Sequence, residues 1–239
     1  MSCTNNIKRI VSDILEFQKD TPENIFIDFD KTNITNLKAL IIGPKQTPYE
    51  DGYFFFDLKF PSNYPFSPPK VKLQTIDKIN RLNPNLYKCG KVCLSILGTW
   101  AGPSWTATQT LKSVLLSIQT LMNEYPIRNE PGYENVKNNS EESINFNNYV
   151  QFQKYKLTIL DVVNKRFPEF SCFDEVIKKD FDSKYKKHVE NLLSLKEIYS
   201  KDQTYPSPIY FVSKFQTPYA EVFKQILELK NENKKTATI

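Results

Sequence analysis

The sequence predicts an α+β fold, and three observations lead to this prediction. Apolar residues recur at helical spacing near the start of the chain, alternate with polar residues further on, and return to helical spacing beyond about residue 107. An amphipathic helix and a one-sided sheet each need a second layer to cover their apolar side. We therefore expect the helices and the sheet to pack together in one domain.

The first element is a helix predicted over about residues 5–19. Its apolar residues stand three or four positions apart, and charged residues lie between them. The apolar positions are Ile7, Ile10, Val11, Ile14 and Leu15. One side of this helix is expected to pack in the domain, while the other side is basic at its beginning.

Four short strands are predicted next, mainly from the alternation of apolar and polar residues. They lie at residues 25–29, 37–42, 54–60 and 71–73. The connections between them have hairpin length and contain Pro, Gly, Asn and Asp, which favour turns. The predicted sheet is therefore a four-stranded antiparallel meander.

Residues 75–104 show no lasting period, because prolines and glycines interrupt regular structure there. An irregular stretch of this length inside a compact domain is usually functional. It leads to a core helix predicted over about residues 107–124, whose broad apolar stripe needs a sheet face to cover it.

The last part of the chain is predicted to be helical and more polar. Thr217 and Pro218 are predicted to be the N-cap and first residue of the final helix. We assign residues 1–165 to the core domain and residues 166–239 to a helical C-terminal extension packed on or near the core.

The composition excludes several classes of protein. The 239 residues are 40% hydrophobic and 25% charged, which excludes disorder, a collagen-like repeat and a disulfide scaffold. The formal charge of +5 is small, so a dedicated nucleic-acid binder is not favoured. Residues 1–8 lack a secretory signal and the chain lacks an apolar run of about 18 residues. We expect an intracellular protein, in the cytoplasm and also in the nucleus.

The cysteines are expected to be free thiols in a reducing compartment. A zinc site that uses Cys89 and Cys93 would need two more ligands at close spacing, and the chain offers only Cys3, Cys172 and His188. No metal is therefore expected.

Three motifs follow one another in a fixed order. They are Tyr64-Pro65-Phe66-Ser67-Pro68-Pro69, Asn83-Pro84-Asn85 and Gly90-Lys91-Val92-Cys93-Leu94-Ser95-Ile96-Leu97. The sequence resembles the ubiquitin-conjugating enzymes, which carry Tyr-Pro-Phe-x-Pro-Pro, His-Pro-Asn and Gly-x-(Ile/Val)-Cys-Leu-(Asp/Ser)-Ile-Leu in this order and register. The likeness covers about residues 5–165, and the segments 98–105 and 129–132 resemble the Z branch of that family in particular.

This resemblance implies the ubiquitin-conjugating (UBC) fold and an acyltransferase activity. Such an enzyme accepts ubiquitin, or a ubiquitin-like modifier, from an activating enzyme as a thioester on Cys93. It then passes the modifier to a lysine of a protein substrate, usually with a ubiquitin ligase. The activating enzyme consumes the ATP, so no bound cofactor is expected here. We expect a monomer, with neither nucleic acid nor membrane as a partner.

The chemistry of the motif residues agrees with that role. Acyl transfer between thiols, and then to an amine, needs an accessible thiol, and Cys93 lies in a Gly-flanked irregular segment where access is expected. Asn85 is the candidate donor to the oxyanion of the tetrahedral intermediate, with bracing of the neighbouring loop as its alternative role. The only histidine, His188, lies far along the chain, and a thioester is reactive enough for a deprotonated lysine to attack without a strong base.

The resemblance also implies roles for residues around the thiol. Glu130 aligns with a family acid at the lip of the active-site groove, where it would orient or desolvate the incoming lysine. Ser95 stands where many relatives carry Asp, so the lip has less charge or is tunable by phosphorylation. Asn83 replaces the usual His, and Cys89 is a rival thiol that lacks the flanking motif.

Five further residues are candidates for partner binding by their position in the family. Lys8 and Arg9 would meet the activating enzyme, and Phe66 would reach ligases. Ala107 and Thr108 lie where relatives carry the Ser-Pro-Ala that ligases grip, so ordinary ligase contacts are in doubt.

Simpler interpretations compete with each of these roles. Lys8 and Arg9 would then be ordinary helix charges, Phe66 would plug the end of the sheet, and Trp105 would pack instead of walling the groove. The alternative functions are a non-catalytic module that holds ubiquitin or a ligase, and a nucleic-acid or scaffold role for the helical half. The presence of both Cys93 and Asn85 favours the enzyme.

Overall fold

The computed structural model describes residues 2–199, 204–205 and 215–236, with side chains for residues 5–199 and 217–229. In this part of the chain an N-terminal helix, a sheet, an irregular segment and a group of helices follow one another. The predicted α+β class is confirmed.

Helix α1 spans Ser2–Lys19 and begins a few residues before the predicted helix. Ile10, Ile14 and Phe17 are buried on its inner side. Val11 and Leu15, which the apolar stripe also includes, are exposed, because each lies one residue further round the helix than a buried isoleucine. The expectation that these two pack in the core is wrong.

The predicted meander is confirmed, with each strand boundary shifted by at most one residue. Its strands pair antiparallel with their neighbours in the order β1-β2-β3-β4. The strands are β1 Ile25–Phe29, β2 Asn36–Ile42, β3 Tyr53–Lys59 and β4 Lys70–Leu73.

Both faces of the sheet are buried at its centre. On the inner face, Phe54, Phe56 and Leu58 of β3 join the apolar cluster that contains helix α2 (Leu111–Leu121). On the outer face, Tyr53 and Phe55 pack against the C-terminal part of the chain, in a cluster whose sheet members are Leu40, Ile42, Tyr53 and Phe55. The Phe55 ring stacks on Phe170 with centroids 4.6 Å apart.

Helix α2 is shorter than the predicted helix over 107–124. The Thr110 hydroxyl accepts a hydrogen bond from the Ser113 backbone N–H, and the Ser113 hydroxyl accepts one from the Thr110 N–H. Asp13 of α1 accepts the backbone N–H of Leu111 at 3.0 Å. These bonds satisfy the unpaired donors of a helix end, so the helix begins at Leu111 and residues 107–110 form a loop.

The C-terminal part of the chain is mainly helical. Helix α3 (Glu141–Gln153) continues into a π-helix over Lys154–Leu160, and the helices α4, α5 and α6 follow. Helix α4 spans Asp161–Val163, α5 spans Asp174–Ile198 and α6 spans Tyr219–Thr236. Two short strands, β5 (Thr204–Tyr205) and β6 (Phe215–Gln216), pair with each other between α5 and α6.

The start of helix α6 corrects one prediction. The Pro218 carbonyl accepts the N–H groups of Glu221 and Val222, so Pro218 occupies the N-cap position. The Thr217 hydroxyl is buried and bonds to no described residue. Thr217 is therefore not the cap.

Polar contacts join α5 to the turn between β2 and β3. Lys187 contacts Glu50 at 2.6 Å and Asp51 at 2.7 Å, and Lys184 contacts Asp51 at 2.9 Å. The Tyr53 hydroxyl donates to Asp180 at 3.0 Å. Tyr53 and Asp51 belong to the core domain, so these contacts fix α5 against the outer side of the sheet. None of the helices in the described residues is both long and apolar enough to cross a membrane.

His188 lies inside this contact with only 1% of its surface exposed. Its ring stacks on Phe181 at 5.6 Å and meets the edge of Tyr155 at 5.9 Å. Neither ring nitrogen bonds to a described residue. Burial lowers the pKa of His188 to about 4. The positive charges of Lys154, Lys184 and Lys187 lower this pKa further, whereas the negative charge of Asp51 raises it.

Acidification is expected to destabilise the fold through His188. The unfolded chain binds a proton below about pH 6.5 that the folded chain excludes down to about pH 4, so the free energy of unfolding should fall by up to about 1.4 kcal/mol per pH unit in that window. Urea unfolding between pH 4 and 7 of wild type and His188→Phe measures this, because phenylalanine keeps the stack without titrating. Equal slopes for the two proteins would contradict the prediction.

Candidate active site

Asn83 forms the base of the site. Its amide Nδ2 donates to the Tyr49 hydroxyl at 2.9 Å and to the Leu121 carbonyl at 2.7 Å. Its Oδ1 accepts the backbone N–H of Asn85 at 2.8 Å. Asn83 thus fixes Asn85 relative to the end of α2. This is a structural hydrogen-bonding role, like that of the histidine which most family members carry at this position.

Asn85 and Cys93 are joined by two hydrogen bonds. The Cys93 backbone N–H donates to the Asn85 carbonyl at 2.8 Å, and the Asn85 amide Nδ2 donates to the Cys93 carbonyl at 2.8 Å. The second bond braces the segment that carries the thiol. The Asn85 Oδ1 is buried and bonds to no described residue. Of the two roles expected for Asn85, this geometry corresponds to bracing. The oxyanion role requires the Asn85 amide to turn away from the Cys93 carbonyl and towards the substrate.

The expected accessibility of the thiol needs correction, because Cys93 is only 1% exposed. Its neighbour Val92 belongs to the inner apolar cluster, whereas Cys93 belongs to neither cluster. Burial raises the pKa of the thiol, while the charges of Lys91 and Arg81 and the Tyr87 side chain lower it. Because the thiol is buried, acylation requires the groups that cover it to move aside.

Tyr87 and Arg81 are residues of the site that the sequence did not reveal. The Arg81 guanidinium carbon lies 3.6 Å from the centroid of the Tyr87 ring, and Arg81 also donates to the Pro84 carbonyl. The Lys91 ammonium lies 5.6 Å from the same ring. Tyr87 is thus held between two cations beside the thiol. The sequence signal was weak, because an arginine and a tyrosine six positions apart in an irregular segment indicate no contact.

The structure also corrects the role expected for Glu130. This residue is 5% exposed, and its carboxylate lies 3.9 Å from the Arg81 guanidinium. It therefore pairs with a buried cation of the chain itself and is not free to face an incoming lysine. The role of Glu130 at the lip of the groove stays a prediction.

Ser95 and the loop that contains Gly102 follow Cys93 in the chain. Ser95 begins a 3-10 turn over Ser95–Leu97, and a Cβ on Gly102 would lie 3.0 Å from the Ser95 Cβ. The Thr99 hydroxyl donates to the Val92 carbonyl at 2.7 Å and accepts the Leu94 N–H at 2.9 Å. Ser95 is half-buried under this loop. Its role at the lip stays a prediction.

The other two described cysteines, Cys89 and Cys172, are exposed free thiols. Burial and the neighbouring Asp28 raise the pKa of Cys172 to about 11, which disfavours the reactive thiolate. The side chain of Cys3 lies outside the described residues. In the described part of the chain, no group of three His, Cys, Asp or Glu residues is arranged to hold a metal ion.

Two of the residues expected to bind partners contact each other. Arg9 donates to the Ala107 carbonyl at 2.8 Å and to the Gln109 carbonyl at 2.7 Å, and pairs with Asp13 at 2.7 Å. Arg9 therefore holds the loop before α2, which is a structural role. Thr108 is exposed in that loop.

Lys8 and Phe66 are free to meet partners. Lys8 is exposed on α1, and Phe66 is 80% exposed, so Phe66 does not plug the end of the sheet. Trp105 instead packs beside Tyr64 and donates to the Pro65 carbonyl at 2.6 Å. The packing interpretation of Trp105 is the one this geometry favours.

The comparisons with known proteins agree with the motifs. Residues 9–154 match the family model of the ubiquitin-conjugating enzymes. The chain is 41% identical over 189 residues to ubiquitin-conjugating enzyme E2 Z of Xenopus tropicalis, covering 73% of this chain and 60% of that protein. It is 42% identical over 174 residues to the Homo sapiens protein of the same name, covering 72% and 49%.

A plant relative shows a shorter likeness. The putative ubiquitin-conjugating enzyme E2 39 of Arabidopsis thaliana is 47% identical over 135 residues, covering 54% of this chain and 42% of that protein. The chain thus spans between about half and 60% of the length of the E2 Z relatives that it matches. The family match covers more than half of the chain, and the relatives agree with it: the chain belongs to the ubiquitin-conjugating enzyme family, and it is similar to E2 Z, as its motifs predicted.

Proposed function

We propose that the chain is an active ubiquitin-conjugating enzyme with Cys93 as its nucleophile. The observation that supports the proposal is the pair of hydrogen bonds between Asn85 and the Cys93 backbone, which joins the two motifs in the fold. Membership of the family supports the same conclusion.

The proposed reaction has two acyl transfers. The Cys93 thiolate attacks the carbonyl of a modifier held as a thioester on the activating enzyme, a new thioester forms, and the thiol of the activating enzyme leaves. A substrate lysine then attacks the thioester as a neutral amine, an amide forms, the amine loses a proton, and the Cys93 thiolate leaves. A hydrogen-bond donor that reaches the oxyanion lowers the barrier of each step.

The partners follow from this reaction. They are ubiquitin or a ubiquitin-like modifier, an activating enzyme that consumes the ATP, a ubiquitin ligase and protein substrates. We place the protein in the cytoplasm and the nucleus, acting as a monomer without a bound cofactor. The alternative of a non-catalytic interaction module is not supported, because the motif cysteine and the motif asparagine are both present and the similar proteins are named as enzymes.

A charging assay tests the proposal. The chain is incubated with an activating enzyme, its modifier and ATP, and resolved on gels with and without reductant. We expect an adduct that requires ATP and disappears with reductant, because a thioester exchanges with added thiol. Absence of any adduct with ubiquitin and with ubiquitin-like modifiers would contradict the proposed activity.

Substitution Asn85→Ala is expected to leave charging intact and to slow discharge to lysine by about 100-fold, the usual cost of losing an oxyanion donor. Single-turnover discharge of pre-charged enzyme measures the rate, and thermal unfolding monitors the loss of the brace on the Cys93 carbonyl. Equal discharge rates for wild type and variant would remove the oxyanion role and leave only the bracing one.

A further inference from the structure

Cys93 lies on one arm of a short hairpin, and Tyr87 lies on the other arm. The Cys93 N–H donates to the Asn85 carbonyl at 2.8 Å, and the Tyr87 N–H donates to the Lys91 carbonyl at 2.9 Å. These two bonds pair the arms antiparallel, with a turn between them. We call residues 85–93 the active-site hairpin.

The register of the active-site hairpin places the Tyr87 and Cys93 side chains on the same face. Leu86 and Val92 stand opposite each other and are buried in the inner apolar cluster. Since alternate residues of an extended arm point to opposite faces, Tyr87 and Cys93 point away from that cluster. They are diagonal neighbours across the two arms, about 7–8 Å apart, a separation that an aromatic side chain can bridge. Tyr87 therefore lies beside the thiol.

Arg81 holds the Tyr87 ring in this place. The Arg81 guanidinium carbon lies 3.6 Å from the centroid of the ring, which is a stacking distance, and Arg81 also donates to the Pro84 carbonyl. A Glu130 carboxylate oxygen lies 3.9 Å from the same guanidinium. Arg81 thus joins Tyr87 to the motif segment that carries Asn85 and to the segment after α2.

Stability alone does not explain a guanidinium at this place. Arg81 is only 5% exposed, and its 3.9 Å separation from Glu130 is longer than a hydrogen bond. A buried ion pair is often no more stabilising than well-packed apolar side chains of similar volume. Unlike those side chains, a guanidinium is planar, always charged and able to stack on an aromatic ring. These properties point to a role for Arg81 at the Tyr87 ring.

We propose that Arg81 is a positioning residue of the transfer reaction, which holds Tyr87 so that the Tyr87 hydroxyl donates to the Cys93 sulfur whenever that sulfur carries negative charge. The proposal rests on the proposed function, because it takes Cys93 as the atom that accepts and releases the modifier. The sulfur attacks as a thiolate in the first transfer and leaves as a thiolate in the second. One donor therefore assists both steps, and the hydroxyl keeps its proton throughout.

The electrostatics of the thiol agree in direction with this role. Burial raises the pKa of the Cys93 thiol, whereas the charges of Lys91 and Arg81 and the Tyr87 side chain lower it. A group that lowers the pKa of a thiol favours the thiolate. Tyr87 and Arg81 thus act on the same form of the sulfur.

A cycle of Arg81→Lys and Tyr87→Phe tests the proposal. Lysine keeps the positive charge near Glu130 but has no planar group to stack on the ring. Discharge of pre-charged enzyme to free lysine is measured as a single turnover. We expect Tyr87→Phe to slow discharge by about tenfold, the order of one hydrogen bond to a charged group, and Arg81→Lys to lose most of the same factor. The double variant should be no slower than Tyr87→Phe, because no hydroxyl is left for Arg81 to position.

The pH profile of thiol alkylation gives a second readout, which needs no modifier. Iodoacetamide reacts with the thiolate, and mass spectrometry quantifies the product on Cys93. We expect the midpoint of the profile to move to higher pH in Tyr87→Phe and in Arg81→Lys, because each variant loses the donor that favours the thiolate. A change in access to the buried thiol alters the plateau rate but leaves the midpoint in place, so a merely structural role of Arg81 predicts no shift.

Arg128→Lys is the matched control. The Arg128 guanidinium carbon lies 5.1 Å from the centroid of the Tyr125 ring, and the half-buried Arg128 donates to the Val136 carbonyl. The same replacement at this second arginine should leave the discharge rate and the pH profile as in wild type. Thermal unfolding checks that each variant is folded. If Arg81→Lys is unfolded at the assay temperature, Arg81→Met/Glu130→Met takes its place in the cycle with the same expected outcome.

Each outcome decides the proposal. Loss of the Arg81→Lys effect in the Tyr87→Phe background, together with the shifted pH profile, supports it. Equal slowing in both backgrounds would show that Arg81 acts without Tyr87 and would overturn it, as would an Arg81→Lys variant that behaves like wild type. Slower discharge with an unshifted profile would also overturn it, because Tyr87 would then act on the incoming amine instead of the sulfur.

The proposed function is decided separately. Normal charging of wild type leaves that function standing in each of the overturning cases, since the cycle concerns only how the thiol is assisted. Failure of wild type to charge would strike the function itself, and with it the role of Arg81 in transfer.

Discussion

Replacement of Cys93 by alanine is expected to abolish the adduct in the charging assay. Replacement by serine should instead give an adduct that survives reductant, because an oxygen ester does not exchange with added thiol as a thioester does. No other residue of the site is expected to have so large an effect, since without this sulfur there is no atom to carry the modifier. Gel analysis with and without reductant measures both outcomes.

Cys89 provides the matched control for this prediction. It is exposed and lies four positions before Cys93, so it would react first if accessibility alone decided. We expect Cys89→Ala to charge like wild type, because its position lacks the Asn85 amide that is bonded to the Cys93 segment. Loss of the adduct in Cys89→Ala together with its survival in Cys93→Ala would show that the nucleophile is assigned wrongly.

The second large effect is expected at Glu130. Substitution Glu130→Ala removes the carboxylate 3.9 Å from the buried Arg81 guanidinium, and removal of one partner of a buried pair costs up to about 3–5 kcal/mol. Chemical denaturation measures the free energy of unfolding. Because Arg81 also stacks on Tyr87, the variant should in addition change the rate at which the Cys93 thiol reacts with an alkylating agent.

Two comparisons separate the buried pair from a general effect of charge. Glu190→Ala breaks the exposed pair with Lys186 at 3.7 Å and should cost less than about 0.5 kcal/mol. The double variant Arg81→Met/Glu130→Met should be more stable than Glu130→Ala, because it removes both buried charges together. A cost for Glu130→Ala as small as that for Glu190→Ala would show that the pair does not stabilise the fold.

Much of the active site could be predicted from the sequence because its motif residues are close along the chain. Asn83, Asn85 and Cys93 lie within eleven positions, and turn residues fix the path between them. The contacts of Tyr87, Arg81 and Glu130 could not be predicted in the same way. Glu130 lies almost fifty positions beyond Arg81, and the resemblance to the family suggested a substrate-facing acid, whereas the buried guanidinium takes the carboxylate for itself.

The accessibility of the thiol is another property that local sequence did not decide. Glycines around Cys93 indicate an irregular segment, and irregular segments usually lie at the surface. In the fold the thiol is buried, and Tyr87 and Arg81 are among the groups that lower its pKa.

By itself the sequence determined the order and type of the elements up to helix α2, the antiparallel meander and the family, because periodicity, turn residues and motif spacing are local properties of a chain. Only the tertiary structure decided that α5 and its neighbours cover the outer face of the sheet and that Glu130 lies beside Arg81. Each of these depends on which distant segments meet. Their meeting is fixed by the packing of apolar faces and the register of strands, which no short stretch of sequence encodes.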